Sequence, residues 1–162
     1  MRLVLYQPDI PQNTGTLMRL AAALGVPLDL IEPCGFLLDD RRLRRAGMDY
    51  RESLDLTRHP SWTAYQNSMP PGRLILLTTH ATQSYLDAPF TIGDRLLLGQ
   101  ESCGVPAEIH ALAHLRLRIP LCPPARSLNV ALAAAMVLGE ALRQTRPTPP
   151  PRLPAQGSSL GG

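Results

Sequence analysis

The chain has no lysine; all 16 of its basic residues are arginine. That excludes a Schiff-base lysine and the lysine-dependent phosphate loop. Cysteine is scarce as well. Cys34, Cys103 and Cys122 are far apart, odd in number and without a Cys-x-x-Cys pair, which argues against a disulfide framework and a zinc site. The four histidines (His59, His80, His110, His114) lack metal-like spacing. His110 and His114 sit four apart, yet no third ligand and no His-Glu-x-x-His pattern accompanies them, so no metal is expected. Long apolar runs are missing too. The run at residues 3–6 is far too short for a signal peptide or a membrane span, so a cytoplasmic protein is expected.

A length of 162 residues with 44% apolar composition suits one ordinary domain. The formal charge is +3 and the isoelectric point about 9.1, a mild basic bias. Arginine offers planar, bidentate donors that fit phosphates and base edges. A genomic preference for arginine codons accounts for the bias equally well.

Patterning predicts an α/β chain. Residues 3–6 read as a buried strand ended by Pro8 and Pro11. A helix follows, capped by Asn13 or Thr14 and stopped at Gly25. Residues 28–31 form the next strand, giving a β-α-β unit with parallel strands. The charge-rich stretch 39–59 reads as a short helix and an exposed loop, and 61–67 as a helix. Strands are expected at 74–79, 96–98 and 115–121, with a helix at 106–114. The last helix runs from Ser127, its expected N-cap, to about Gln144. It is apolar nearly all round, so it must be buried on most sides, and a second subunit is a natural partner. A single domain over residues 1–145 is expected, followed by a flexible Pro-, Gly- and Ser-rich tail at 146–162.

Three segments share one logic, each being a turn of glycines or small polar residues after an expected strand. The first is Asn13-Thr14-Gly15-Thr16-Leu17-Met18-Arg19. The second is Gly99-Gln100-Glu101-Ser102-Cys103-Gly104-Val105-Pro106. The third is the proline-rich approach to Ser127-Leu128-Asn129. In parallel sheets ligands bind at the carboxyl ends of strands, so the three can converge on one site. None is a common nucleotide fingerprint. Each also has a plain reading, as helix cap or strand-to-helix loop.

In this order, Asn13-x-Gly15-x-x-x-Arg19, Gly99-x-Glu101-x-x-Gly104-x-Pro106 and Ser127-x-Asn129 resemble the SPOUT superfamily of RNA methyltransferases, in its minimal one-domain branch. Residues 5–15 and 42–50 match further stretches of that family. The resemblance spans roughly residues 1–145. It implies a mostly parallel sheet flanked by helices, with a deep trefoil knot near the C-terminus. It also implies a homodimer and S-adenosylmethionine held by Leu77, Gly99, Ile119 and Ser127. The implied reaction is methylation of a ribose 2′-hydroxyl in transfer RNA at the wobble pyrimidine, cytidine or 5-carboxymethylaminomethyluridine. Arg19, Ser127, Asn129 and Glu101 are the implied catalytic set. Arg19 acts as a general base or, because arginine stays protonated, as a cation facing a developing alkoxide or a phosphate. Arg41, Arg42, Arg44 and Arg45 are the candidate RNA contacts. Two positions depart from the family pattern: Cys103 where arginine is frequent, and Gly139 where tyrosine is frequent. The rival reading is an RNA-binding module of the same fold without catalysis.

Overall fold

Short apolar runs bounded by turn residues build the sheet. In the computed structural model, which describes residues 1–37 and 54–146, the strands are β1 (Arg2–Tyr6), β2 (Leu28–Ile31), β3 (Leu56–His59), β4 (Leu74–Leu77), β5 (Gln83–Ser84), β6 (Arg95–Leu98) and β7 (Leu115–Arg118). They form one sheet in the order β3-β2-β1-β6-β4-β7-β5, and every pairing is parallel. Helices α1 (Pro11–Leu24), α2 (Trp62–Ser68), α3 (Ala107–Leu112) and α4 (Val130–Thr145) flank it. Arg41, Arg42, Arg44, Arg45 and residues 147–162 of the tail lie outside the described residues.

β2 and β6 are buried at every position, as strands covered on both faces must be. Side chains alternate between two cores. Leu3, Leu5, Leu28, Leu30, Leu96 and Leu98 face Leu17 and Ala21 of α1 and Ala134, Val137 and Leu138 of α4. Val4, Ile31 and Leu97 face Tyr65 of α2 and Ile109 of α3. Each fully buried leucine contributes about 1.5–3 kcal/mol, so the central strands are the most secure platform for the loops they carry.

Several boundaries differ from those read in the sequence. Helix α1 begins at Pro11, with Ile10 as its N-cap and no capping side chain. Neither Asn13 nor Thr14 caps it; proline presets the first turn, and the Thr14 hydroxyl donates to the Ile10 carbonyl. Gly25 ends α1 in the left-handed conformation, as expected. Ser127 does not cap the last helix. The cap is Asn129, whose Oδ1 accepts from the N–H groups of Ala131 and Leu132. The C-terminal part of the charged stretch is not loop but edge strand β3. Its charges hid it: Arg58 pairs outward with Glu32, while His59 turns inward to Asp29. The two-residue strand β5 carried no readable signal.

One polar cluster sits in the sheet itself. Asp29 of β2 accepts two hydrogen bonds from Arg2 of β1, at 2.8 and 3.0 Å, and lies 3.0 Å from His59 Nε2 of β3. Its side chain is only 3% exposed. Burial pushes the Asp29 carboxyl up, and the Arg2 and His59 hydrogen bonds outweigh that, leaving it below the usual carboxylate range.

Candidate active site

Loops leaving the carboxyl ends of β1, β4, β6 and β7 meet around a cavity of about 840 Å³. This is where an open parallel sheet offers a crevice. Ile10 and Asn13 come from the β1 side. Leu77 ends β4 and Thr78 and His80 follow it, and Gly99 to Gly104 follow β6. Ile119, Leu121 and Arg126 to Asn129 follow β7. The wall combines aliphatic side chains with amides, hydroxyls and a carboxylate, which suits a ligand with both apolar and polar groups.

The β6 loop is a closed turn. Gln100 and Gly104 exchange both backbone hydrogen bonds at 2.9 Å. A Cβ on Gly99 would lie 2.6 Å from the Gly104 carbonyl carbon, so the two strands of the turn touch only because residue 99 has no side chain. Gly104 has φ +73°, which favours glycine.

A line of hydrogen bonds joins three loops. The N–H of Asp9 donates to Glu101 Oε2 at 3.2 Å, and Asn13 Nδ2 donates to Glu101 Oε1 at 3.1 Å. Asn129 Nδ2 donates to Asn13 Oδ1 at 2.9 Å. The Asp9 carboxylate in turn accepts from the N–H groups of Glu101 and Ser102, at 3.0 and 3.3 Å. Hydrogen bonding to Glu101 and Ser102 draws the Asp9 carboxyl down to about 2. Loss of solvent, then the neighbouring Asp9 carboxyl, pushes Glu101 up.

Of the residues singled out in the sequence, Leu77, Gly99, Glu101, Ile119, Ser127 and Asn129 all line the cavity. Arg19 is exposed on α1 and is not among the lining residues. Sequence reasoning missed the clasp by Asp9 and the bridging part of Asn13. The available signal was Asp9 between Pro8 and Pro11, a short stiff segment that holds a carboxylate in place. It also missed Arg118, Arg126 and His80 at the cavity wall, which supply basic groups beside the polar line. Among the described residues no group of three or more possible metal-ligating side chains occurs, and no helix is long and apolar enough to cross a membrane.

Residues 1–139 match the SpoU rRNA methylase family. The chain belongs to that family. It is 59% identical over 144 residues to the tRNA (cytidine(34)-2′-O)-methyltransferase of Beijerinckia indica, covering 88% of this chain and 90% of that one. It is 45% identical over 146 residues to the enzyme of the same name from Escherichia coli K12, covering 89% and 93%. Among solved structures, a protein studied for 2-OH methylation of C/U34 on tRNA superposes with a TM-score of 0.83 at 47% identity, covering 88% of this chain and 94% of that chain. AviRb of Streptomyces viridochromogenes, a SpoU methyltransferase in complex with the cofactor AdoMet, superposes with a TM-score of 0.75 at 29% identity, covering 89% of this chain and 60% of that longer one. In this SpoU methylase the matched region therefore contains the whole cavity wall, from Ile10 to Ala133.

Proposed function

We propose that this protein transfers a methyl group from S-adenosylmethionine to the ribose 2′-hydroxyl of nucleotide 34 in transfer RNA, with cytidine as the base and a modified uridine as the second substrate. The family description speaks of ribosomal RNA, but relatives at 59% and 45% identity over nine-tenths of their length carry the transfer RNA activity in their names. The observation that supports this reading best is the line Glu101–Asn13–Asn129 along one wall of the cavity.

The residues present fit the cofactor. The cavity is large enough for a nucleoside carrying an amino acid, and the closed turn at Gly99 and Gly104 exposes backbone at its wall. Leu77, Gly99, Ile119 and Ser127 are assigned to hold it. When bound, S-adenosylmethionine supplies a methyl on a sulfonium, which is already an activated leaving group and needs no metal. The protein's task is then to place the 2′-oxygen in line and to stabilise the charge that develops as its proton leaves. Asn129 and Ser127 position the ribose at the cavity wall, and Glu101 fixes Asn13 and through it Asn129. The Arg19 guanidinium serves the alkoxide or the adjacent phosphate.

Arg19 lies off the cavity wall of its own chain, which favours a homodimer. Helix α4 leaves Leu132 61% and Met136 43% exposed one turn apart, and Gly139, one turn on, has no atom within 4 Å of a built Cβ. A second copy covers this stripe and brings α1, packed against α4, toward the neighbouring cavity. Arg41, Arg42, Arg44 and Arg45 are the proposed RNA contacts, and Arg118 and Arg126 at the cavity wall are added to them. The catalytic domain is residues 1–145, with a C-terminal trefoil knot, and residues 146–162 are a tail outside the catalytic unit. The enzyme works in the cytoplasm, where its substrate is.

The test is incubation with S-adenosylmethionine labelled in the methyl group and bulk transfer RNA, followed by mapping of the labelled nucleoside. A 2′-O-methylated pyrimidine at position 34 is expected. Tight cofactor binding without label in any transfer RNA would move the substrate elsewhere; no binding and no label would favour the RNA-binding module.

A further inference from the structure

We propose that Asp9 is a positioning residue of the methyl-transfer site, holding the 99–104 turn so that Glu101, Asn13 and Asn129 stay in one line. The role rests on the reading of the cavity as the cofactor and ribose site. Asp9 itself does not line the cavity, so it acts through its neighbours.

Three observations carry it. First, the clasp is reciprocal: the Asp9 carboxylate accepts from the amides at the tip of the turn, Glu101 and Ser102, while the Asp9 N–H donates back to the Glu101 carboxylate. A turn tip closed by its own Gln100–Gly104 hydrogen bonds leaves those two amides outward, and a carboxylate is a strong acceptor for them. Second, Asp9 has no freedom to follow if the turn drifts. Gly35 packs against it so tightly that a Cβ there would lie 2.7 Å from Asp9 Cβ and 2.8 Å from its Cα, and the Gly35 N–H donates to the Pro8 carbonyl. Third, the order passes on. Glu101 fixed by Asp9 accepts from Asn13, Asn13 accepts from Asn129, and Asn129 caps α4. A shift at the turn therefore reaches Asn129, which faces the cavity.

The replacement Asp9→Asn keeps size and one acceptor but turns a donor toward an N–H. Three readouts are made on the full chain. Amide hydrogen exchange in the free protein should quicken by roughly tenfold at Glu101 or Ser102 and stay unchanged at Gln100 and Gly104. Calorimetric binding of S-adenosylmethionine should weaken by roughly tenfold, with far-UV circular dichroism unchanged. Combined with Glu101→Gln, the two losses of affinity should fail to multiply, because both break one line. Gly35→Ala, which pushes Asp9 from the other side, should reproduce the exchange pattern. Unchanged exchange at Glu101 and Ser102, or unchanged cofactor affinity together with independent effects in the double variant, would overturn the proposal. If the wild-type protein binds no S-adenosylmethionine while the exchange pattern changes as described, the assignment of the cavity fails and the clasp stands.

Discussion

Asn129 donates from Nδ2 to Asn13 Oδ1 at 2.9 Å while its Oδ1 receives the first free amides of α4. One side chain thus caps α4 and ties it to Asn13 in the first turn of α1, 116 residues away in the sequence. The two tasks can be separated. Asn129→Ala loses both; the lost cap costs about 1 kcal/mol, lowering the melting temperature by about 2–4 °C. Asn129→Asp keeps an acceptor for the cap and loses the donor to Asn13. Its melting temperature should stay near wild type while methylation of transfer RNA falls on the order of tenfold or more. Wild-type turnover in Asn129→Asp would show the bridge to be idle in catalysis.

The Gly99–Gly104 contact gives a steric prediction. In Gly99→Ala the added methyl meets backbone at 2.6 to 2.9 Å, which no rotamer change relieves. The turn must open. Cofactor affinity should fall on the order of a hundredfold, since overpacking of this kind costs about 1–3 kcal/mol. The β6 core is untouched, so the fold should survive. Calorimetry beside a thermal melt checks both halves; a variant that binds the cofactor normally would place it elsewhere in the cavity.

Much of this site was legible in the sequence because its signals are local. Gly99 and Glu101 sit just past the apolar strand β6, Asn129 ends the proline-rich loop that follows β7, and a parallel sheet sends the loops after its strands to one edge. What stayed hidden depends on contacts between distant segments. Asp9 and Glu101 meet only once β1 and β6 are neighbours, and nothing in either segment announces the other. Ser127 and Asn129 are equally good N-caps by residue type; the choice follows from Asn13, which holds Asn129 at the start of α4. Strand β3 was obscured because its one inward group besides Leu56 is a histidine, and its burial depends on Asp29.

Asp29 sets an acid limit on stability. Its carboxyl lies below the usual range in the folded chain, so the native state binds fewer protons than the unfolded one as pH falls. The stabilisation is whole above the unfolded carboxylate pKa, about 3.9, and is lost as pH drops through the lower folded value. Asp29→Asn removes that dependence. Its melting temperature should be lower than wild type at pH 7 but fall less steeply below about pH 5. Asp29→Ala leaves Arg2 and the buried His59 without their shared partner and should cost about 3 kcal/mol. Parallel acid limbs for wild type and Asp29→Asn would remove Asp29 as the source of the pH dependence.

Arg19 supplies the sharpest test of how the site is assembled. It is exposed on α1 and absent from the wall of its own cavity, whereas Asn129 lines that wall. The proposed homodimer, joined through the exposed face of α4, would let the arginine of one chain serve the cavity of the other. Arg19→Ala should then lose methylation by roughly a hundredfold with cofactor affinity kept. Asn129→Ala should be impaired as well. Co-expression of the two variants in one cell forms mixed dimers in which one cavity has an intact Asn129 on its own chain and an intact Arg19 on the partner chain. Activity should return in the purified mixed species and stay absent in either pure variant. If the mixed dimer is as inactive as its parents, Arg19 serves its own chain, and α1, which carries both Asn13 and Arg19, must shift toward the cavity. The same purification reads the oligomer directly, because a monomer on a sizing column would remove the shared site altogether.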